Sequence, residues 1–247
     1  MSDQSKAQIL GNIRKSLAAR PQIVAAPPHT ADPNVIPLVA HHAAPAPLAP
    51  EATEPDAPLT EVFRATLEAL SGQVVTRPAA EVGPWLRQFA QARGYQCALC
   101  WDQAYLPVPG LLADLQANGL EVEQGALPND PAGRAATLAR WEQIRLGVTG
   151  AEAALATTGT LALRSGAGRP RLASLSVEVH VALVTPDQFY ADWAAWLAAL
   201  GPEAAARGLG DASNTMLISG PSRTGDIEMT LTVGVHGPRE VIVVIVT

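Results

Sequence analysis

The feature that most constrains the fold of this chain is the alternation of helix-like and strand-like segments that begins near Leu59. Apolar residues at helical spacing recur in segments separated by short runs rich in β-branched residues, and this alternation favours a mostly parallel sheet covered by helices. We therefore predict a three-layer α/β domain over residues 59–247, whose first helix is capped by Thr60 and closed by Gly72. Helices are expected over residues 60–70, 79–93, 111–117, 132–145 and 187–200, and strands around residue 97 and over 120–122, 178–184, 215–219 and 240–246.

Two segments that precede this domain have a different character. Residues 1–20 place Ile9, Ile13 and Leu17 at helical spacing, which predicts a short amphipathic helix. Residues 21–58 hold ten of the 21 prolines and no sustained hydrophobic period, so they bury too little apolar surface to offset the entropy of ordering. We interpret this stretch as a flexible linker.

Charge and composition argue against several kinds of partner. The net charge is −6, so a broad basic surface for nucleic acid is not expected. No uninterrupted apolar run approaches about 18 residues, which argues against a transmembrane segment. The N-terminal residues lack the cationic start and apolar run of a secretion signal, so the cytoplasm is the expected location.

The two cysteines, Cys97 and Cys100, fit a structural role. The sequence around them predicts a buried strand, on which side chains three residues apart point to opposite faces. A redox pair or half of a metal site is the alternative. Because an iron–sulfur cluster usually needs several cysteines, we expect no cluster and no metal site in this chain.

Four glycine-containing blocks place polar side chains beside backbone that can approach a ligand closely. They are residues 147–152, 157–160, 165–171 and 219–228. None contains the Gly-Lys-Ser/Thr of a P-loop or the GxGxxG spacing of a dinucleotide fingerprint. The sequence therefore indicates neither ATP nor NAD.

The block at residues 219–228 is the most informative of the four. A strand is predicted to end at its start and a helix to begin within it, and the free amides of a helix start would form an anion site together with an arginine. Alternatively, Asp226 and Glu228 act as general base or nucleophile, with His236 titrating near neutral pH. The simplest interpretation is a capped helix with both acids in its first turn. The ligand-binding candidates of this block are Ser219, Gly220, Ser222, Arg223 and Thr224.

Further ligand-binding candidates lie earlier in the chain. A tight turn is predicted between two strand-like arms within residues 154–163, and it presents hydroxyl groups. The loop that follows can bind a carboxylate or phosphate through its arginines, although loop arginines are commonly just solvated. His180 alternates with apolar residues of a predicted strand and is either a satisfied core residue or a catalytic group. The candidates are Thr158, Gly159 and Thr160 in the turn, and Arg169, Arg171 and Ser174 in and after the loop.

The order and spacing of several motifs resemble those of the LUD-domain family, in particular its lactate utilization protein C type. The N-terminal Ile-Leu-Gly-Asn-Ile-Arg segment is also similar to the start of that type. Together the motifs cover most of the chain outside the linker. They are Gly147-Val-Thr-Gly-Ala, Thr158-Gly-Thr, Val179-His, Ser219-Gly-Pro-Ser-Arg-Thr-Gly-Asp-Ile-Glu and Gly234-Val-His-Gly-Pro.

This resemblance implies a three-layer fold related to sugar-phosphate isomerases, CoA transferases and formyltetrahydrofolate cyclo-ligases. It also implies a role in oxidising L-lactate to pyruvate with two iron–sulfur partner proteins, which would carry the clusters, and a pocket for a small carboxylate or other anion. Family members commonly have an acidic residue just before the Thr/Ser-Gly-Thr turn. This chain has Thr157 there, and Glu152 is a nearby carboxylate.

Three functional hypotheses stay open at the level of sequence. The first is an accessory or catalytic subunit of a lactate-oxidising assembly. The second is an independent acyl- or CoA-handling enzyme, in which Glu228 or Asp226 attacks an acyl group and glycine-rich amides stabilise the oxyanion. The third is a ligand-sensing or assembly module that uses the N-terminal helix and the linker.

Overall fold

A computed structural model of the chain describes residues 57–201, 212–225, 231–234 and 236–247. The predicted N-terminal helix and nearly all of the predicted linker lie outside these ranges. Within them, six strands form a sheet in which every neighbouring pair is parallel. They are β1 (Gln73–Arg77), β2 (Cys97–Cys100), β3 (Glu121–Glu123), β4 (Leu146–Thr149), β7 (Val179–Val184) and β12 (Glu240–Val246), and their order is β1-β12-β7-β4-β2-β3.

The described part contains six α-helices, which alternate with the strands. Val82, Leu86 and Ala90 are buried at a spacing of four residues, which explains why the second helix packs one stripe into the core. No helix in the described ranges is both long and apolar enough to cross a membrane. The helices are α1 (Leu59–Ala69), α2 (Ala79–Ala92), α3 (Leu111–Ala117), α4 (Pro131–Trp141), α5 (Leu172–Leu175) and α6 (Trp193–Leu200).

A second sheet of four short strands packs against the main core through one of its faces. Ala154 and Leu161 belong to the main core, whereas Ala153 and Ala162 pack with Trp196 of α6, as the two-residue period of paired strands requires. A separate antiparallel hairpin follows this sheet in the chain. The sheet consists of β8 (Phe189–Tyr190), β5 (Ala153–Leu155), β6 (Thr160–Ser165) and β9 (Asn214–Ile218) in that order, and the hairpin of β10 (Arg223–Gly225) and β11 (Leu231–Val233).

The α/β prediction is confirmed by the central parallel sheet and the helices that flank it. The helix at Leu111–Ala117 and the strand at Glu240–Val246 have the predicted bounds. The predicted strand, tight turn and strand are confirmed as β5, a short 3-10 helix at Ala156–Thr158 and β6. In contrast, β1 and β4 are missing from the prediction, because β1 is short and partly polar and β4 contains a glycine.

Two helix predictions are wrong in detail. Thr60 does not cap α1, because the helix already begins at Leu59 and Pro58 occupies the N-cap position. The helix expected over residues 187–200 is interrupted, because a 3-10 helix and β8 come first. Its helical part, α6, begins only after Asp192, whose carboxylate accepts a hydrogen bond from the amide of Ala195 at 2.8 Å.

Both cysteines lie on β2 as free thiols. Burial raises the pKa of the half-buried Cys97 thiol to about 11 and holds the pKa of the fully buried Cys100 thiol well above its usual range. Neither thiol ionises near neutral pH, so neither has the character of a reactive nucleophile. This agrees with the structural role predicted for them.

Close packing of α5 on β4 depends on the glycine at position 147. A Cβ atom at Gly147 would lie 1.8 Å from the carbonyl oxygen of Ala173, far inside van der Waals contact. Gly147 faces His180 of the neighbouring strand in the sheet register, and Ala173 is fully buried. The glycine therefore lets α5, and the loop that precedes it, lie directly on the sheet.

Substituting Gly147→Ala should destabilise the protein, because the added methyl group forces α5 away from β4. We expect the free energy of unfolding to fall by about 3 kcal/mol and Tm to fall by roughly 6–12 °C. Gly166→Ala is the matched control, since the nearest atom to its added Cβ lies 3.6 Å away. Urea unfolding and thermal scans of both variants measure the difference, and equal stabilities would contradict this role of Gly147.

Candidate functional site

The order of the strands creates a topological switch point between β2 and β4. From β2 the chain crosses to β3 on one side, and it later returns to β4 on the other side of β2 and continues to β7. In open α/β sheets, ligands bind in the crevice outside the carboxyl ends of the strands at such a point. Trp101 directly follows the carboxyl end of β2, and Gly150 directly follows the carboxyl end of β4.

A cleft of 290 Å³ lies at this switch point. It is formed by residues that follow the carboxyl ends of β2, β4 and β7, and we call it the switch-point cleft. Its exposed lining surface is more polar than apolar, although aromatic side chains contribute to it. The residues that matter for its chemistry are Trp101, Tyr105, Glu152, Thr185, Asp187 and Gln188.

An ion pair holds the carboxylate of Glu152 beside this cleft. Arg169 donates a hydrogen bond from Nη1 to Oε1 of Glu152 at 2.7 Å, and its guanidinium carbon lies 4.6 Å from the centre of the Tyr105 ring. The Arg169 side chain is only 13% exposed. The β5–β6 hairpin brings the two residues together, because Glu152 stands at its start and Arg169 follows its end. Glu152 is therefore fixed in position rather than freely solvated.

The other polar groups of the cleft differ in whether their hydrogen-bonding atoms already have a partner. Gln188 is fully engaged, because its amide donates to the carbonyl of Ala151 at 2.6 Å and accepts from the amide of Thr185 at 2.8 Å. In contrast, the indole nitrogen Nε1 of Trp101 is buried and has no hydrogen-bond partner within the described residues. An unpartnered buried donor is costly. The cleft thus offers a held carboxylate, whereas this indole nitrogen is enclosed by protein atoms.

The predicted anion-binding loop places its arginines together. Arg169 and Arg171 line one groove of 680 Å³, and Arg134 of α4 lines it as well. Ser174 is different, because it is fully buried and its hydroxyl donates to the carbonyl of Arg171 at 3.1 Å. The Ser174 hydroxyl is thus used in a contact with the backbone of the loop.

The turn residues Thr158 and Thr160 form a hydroxyl cluster with Ser219. Oγ1 of Thr160 lies 2.7 Å from the hydroxyl oxygens of both partners. Gly159 has a φ angle of 57°, and a Cβ atom there would lie 2.8 Å from the amide nitrogen of Leu67 in α1. Two of the predicted blocks therefore meet beside α1, but none of these three hydroxyls lines the switch-point cleft.

Gly220 and Arg223 of the 219–228 block lie beside the C-terminal end of α1, whereas Ser222 pairs with a different segment. Arg223 donates a hydrogen bond to the carbonyl of Leu70, and a Cβ at Gly220 would lie 2.9 Å from that oxygen. The backbone of Ser222 pairs with Pro238 at 2.9 Å. The cationic side chain of Arg223 thus complements the negative end of the α1 dipole.

The prediction that a helix begins in this block is wrong for the residues of the block that the structure describes. Arg223–Gly225, including Thr224, form strand β10, which pairs with β11. The described part of the block forms a hairpin strand around Thr224, whose β-branched side chain suits a strand better than a helix. The anion site therefore loses the helix amides on which its prediction rested. Asp226 and Glu228 lie outside the described residues.

His236 lies at the opposite end of the central strands from the switch-point cleft. It is exposed and lines a cavity of 440 Å³ with Arg145, Glu178 and Arg239, near the amino ends of β7 and β12. The switch-point cleft lies at the carboxyl ends. The structure therefore does not bring His236 together with Glu152, and none of Thr158–Thr160 lines the cavity that contains His236.

His180 is a core residue in the middle of the sheet. It is fully buried, and its Nε2 lies 2.8 Å from Oγ1 of Thr149, while its Nδ1 has no partner within the described residues. Burial lowers the pKa of His180 to about 3, because the charged imidazolium would be desolvated. It stays neutral near physiological pH, which favours the core interpretation over the catalytic one.

Four residues of the two cavities were not proposed as site residues from the sequence. Trp101, Tyr105 and Arg134 were not among the candidates, and Glu152 was considered only as a nearby carboxylate. The signal that could have indicated Trp101 is its position directly after a buried strand, where parallel sheets place their ligand sites. In the described ranges, no group of three or more His, Cys, Asp or Glu side chains is arranged to hold a metal ion.

Comparison with known proteins adds a family relationship. The LUD domain family model matches residues 61–246. A lactate utilization protein C from Geobacillus sp. is 28% identical over 76% of this chain and 78% of its own length. An uncharacterized protein from Neisseria meningitidis serogroup B is 39% identical over 40% of this chain, and the match spans only 41% of that relative.

Two further comparisons concern a shorter match and the fold. A lactate utilization protein C from Bacillus licheniformis is 34% identical over 56% of this chain and 55% of its own length. A crystal structure of a DUF162 family protein from Deinococcus radiodurans matches 76% of this chain and 96% of that chain with a TM-score of 0.50. Because the sequence identity to that structure is 22%, the likeness concerns the fold alone.

The buried His180 should make stability depend on pH in a defined window. Its pKa is about 6.5 when unfolded and about 3 when folded, so the unfolded state alone takes up a proton as pH falls below 6.5. Its contribution is complete above pH 6.5 and is lost as pH falls toward 3. Between about pH 7.5 and pH 5, the free energy of unfolding should therefore fall by about 2 kcal/mol more in the wild type than in His180→Gln.

Urea unfolding of both proteins at the two pH values measures this difference. All other titrating groups are present in both proteins. Their contribution to the pH dependence therefore cancels when wild type is compared with His180→Gln. Parallel pH dependences would show that His180 is not held neutral by burial.

Proposed function

The chain belongs to the LUD domain family, and from this we propose that it acts in lactate utilization, as a lactate utilization protein C-like subunit in the oxidation of L-lactate to pyruvate. The observation that carries the proposal is the family match over residues 61–246, together with relatives that bear the name lactate utilization protein C. We set this role in the cytoplasm, as expected from the sequence.

We propose that L-lactate binds in the switch-point cleft. The cleft volume of 290 Å³ accommodates a molecule of this size, and the cleft lies at the carboxyl ends of β2, β4 and β7, where parallel sheets bind their ligands. Glu152 lines the same cleft and is positioned by Arg169. A carboxylate fixed in this way can accept the proton of the lactate hydroxyl group.

The redox part of the reaction belongs, in this proposal, to partner proteins. Oxidation of a 2-hydroxy acid to a 2-keto acid removes two electrons and two protons. The O–H and the C2–H bond of lactate both break, which releases one proton each and two electrons in all. Glu152 accepts the hydroxyl proton, the proton from C2 passes to solvent, and iron–sulfur centres of the partner proteins would accept the two electrons one at a time. The support for this division is that the chain has only two cysteines, fewer than one cluster normally requires.

Growth on L-lactate tests the proposal in a strain that lacks every other route of lactate oxidation. Deletion of the gene should abolish growth on L-lactate but not on pyruvate, and wild type should restore it. Glu152→Gln should fail to restore growth, because the amide keeps the shape of the side chain but cannot accept the proton. We expect a loss of lactate oxidation of about 10²-fold or more.

The control is Glu81→Gln, which removes an exposed carboxylate in the first turn of α2 and should restore growth fully. Equal amounts of folded protein in the two complemented strains exclude a folding defect. In the same cells, tagged wild type should copurify with iron and acid-labile sulfide, and their absence would contradict the iron–sulfur partnership. Unchanged growth of the deletion strain would contradict the lactate role itself.

A further inference from the structure

The groove that contains Arg169 and Arg171 has no place in the lactate proposal. It lies between α4 and the loop that joins β6 to α5, and its volume is 680 Å³. We call it the arginine groove. Three arginines line it, namely Arg134 from α4 and Arg169 and Arg171 from the loop.

The charge of the arginine groove is unbalanced. None of its described lining residues is an aspartate or a glutamate. Arg169 is paired with Glu152, whereas Arg134 and Arg171 are exposed and form no ion pair within the described residues. Two guanidinium groups are thus available to one ligand, and their planar donors match the oxygens of a phosphate or a carboxylate.

One wall of the arginine groove is apolar. Trp141 anchors it, because the ring is 2% exposed and its Nε1 lies 3.2 Å from Oε2 of Glu123. An anion alone gains nothing from such a wall, but an apolar or aromatic group attached to the anion does. The apolar residues of the wall are Leu127, Leu138, Trp141 and Leu172.

We propose that the arginine groove binds an organic phosphate, that is, a phosphate group joined to an apolar or aromatic portion. The doubly charged phosphate faces Arg134 and Arg171, and the attached group packs on the half-buried leucines of the wall, Leu127, Leu138 and Leu172. The volume of 680 Å³ lies in the range of cofactor-sized ligands and far exceeds what lactate would fill. The groove shares no described lining residue with the switch-point cleft, and Arg169 of the groove is linked to the cleft through its hydrogen bond to Glu152.

Phenyl phosphate is the probe that tests both halves of this site. Its affinity for the purified full-length protein is measured by isothermal titration calorimetry and compared with that of inorganic phosphate. Burial of the phenyl ring should make phenyl phosphate bind about tenfold more tightly or better. Arg134→Gln and Arg171→Gln should each weaken its binding by about tenfold, because each removes a charge-assisted contact.

Arg145→Gln is the matched control. It removes the same charge from an arginine that is 68% exposed and pairs with Glu178 outside the groove, so the affinity for phenyl phosphate should be unchanged. An affinity that is the same in all three variants would overturn the proposal. Equal affinities for phenyl phosphate and inorganic phosphate would also overturn it, because the apolar wall would then play no part.

Discussion

The contact between α5 and β4 is the constraint on which both cavities depend. The carbonyl of Ala173 lies so close to Gly147 that no side chain fits between helix and strand. This contact seats the loop before α5 on the sheet, and a hydrogen bond of 2.7 Å from the amide of Asp102 to the carbonyl of Gly168 ties the same loop to the end of β2. Arg169 follows directly, so its position is set by backbone contacts on either side of it.

Arg169 connects the two cavities that result. On one side it holds the carboxylate of Glu152 at the switch-point cleft, and on the other it lines the arginine groove. The two cavities differ in charge. The cleft contains the carboxylates of Glu152 and Asp187, whereas arginines are the only charged residues among the described lining residues of the groove. One fold thus presents a fixed carboxylate and a cationic surface in neighbouring places.

The sequence predicted the parts of this arrangement that arise from local patterns. The β-branched run at Glu240–Val246 identifies a buried strand, and the short spacing of Arg169 and Arg171 places them on one loop. The rest depends on strand order and long-range packing. The hairpin that carries Glu152 is predicted locally, but its ion pair with Arg169 also depends on where the following loop lies. Trp101 reaches the cleft only because β4 pairs with β2, and no local pattern encodes that pairing.

The most direct test of the account is an NMR titration that follows the indole ¹H–¹⁵N resonances of the five tryptophans as L-lactate is added to the full-length protein. Trp101 lines the switch-point cleft and Trp141 lines the arginine groove, so the two resonances report on the two cavities separately. The account predicts that the Trp101 resonance shifts to saturation with L-lactate, that Glu152→Gln weakens this binding, and that the Trp141 resonance stays in place. A Trp101 resonance that does not move, or a shift confined to Trp141, would contradict binding of lactate at the switch point.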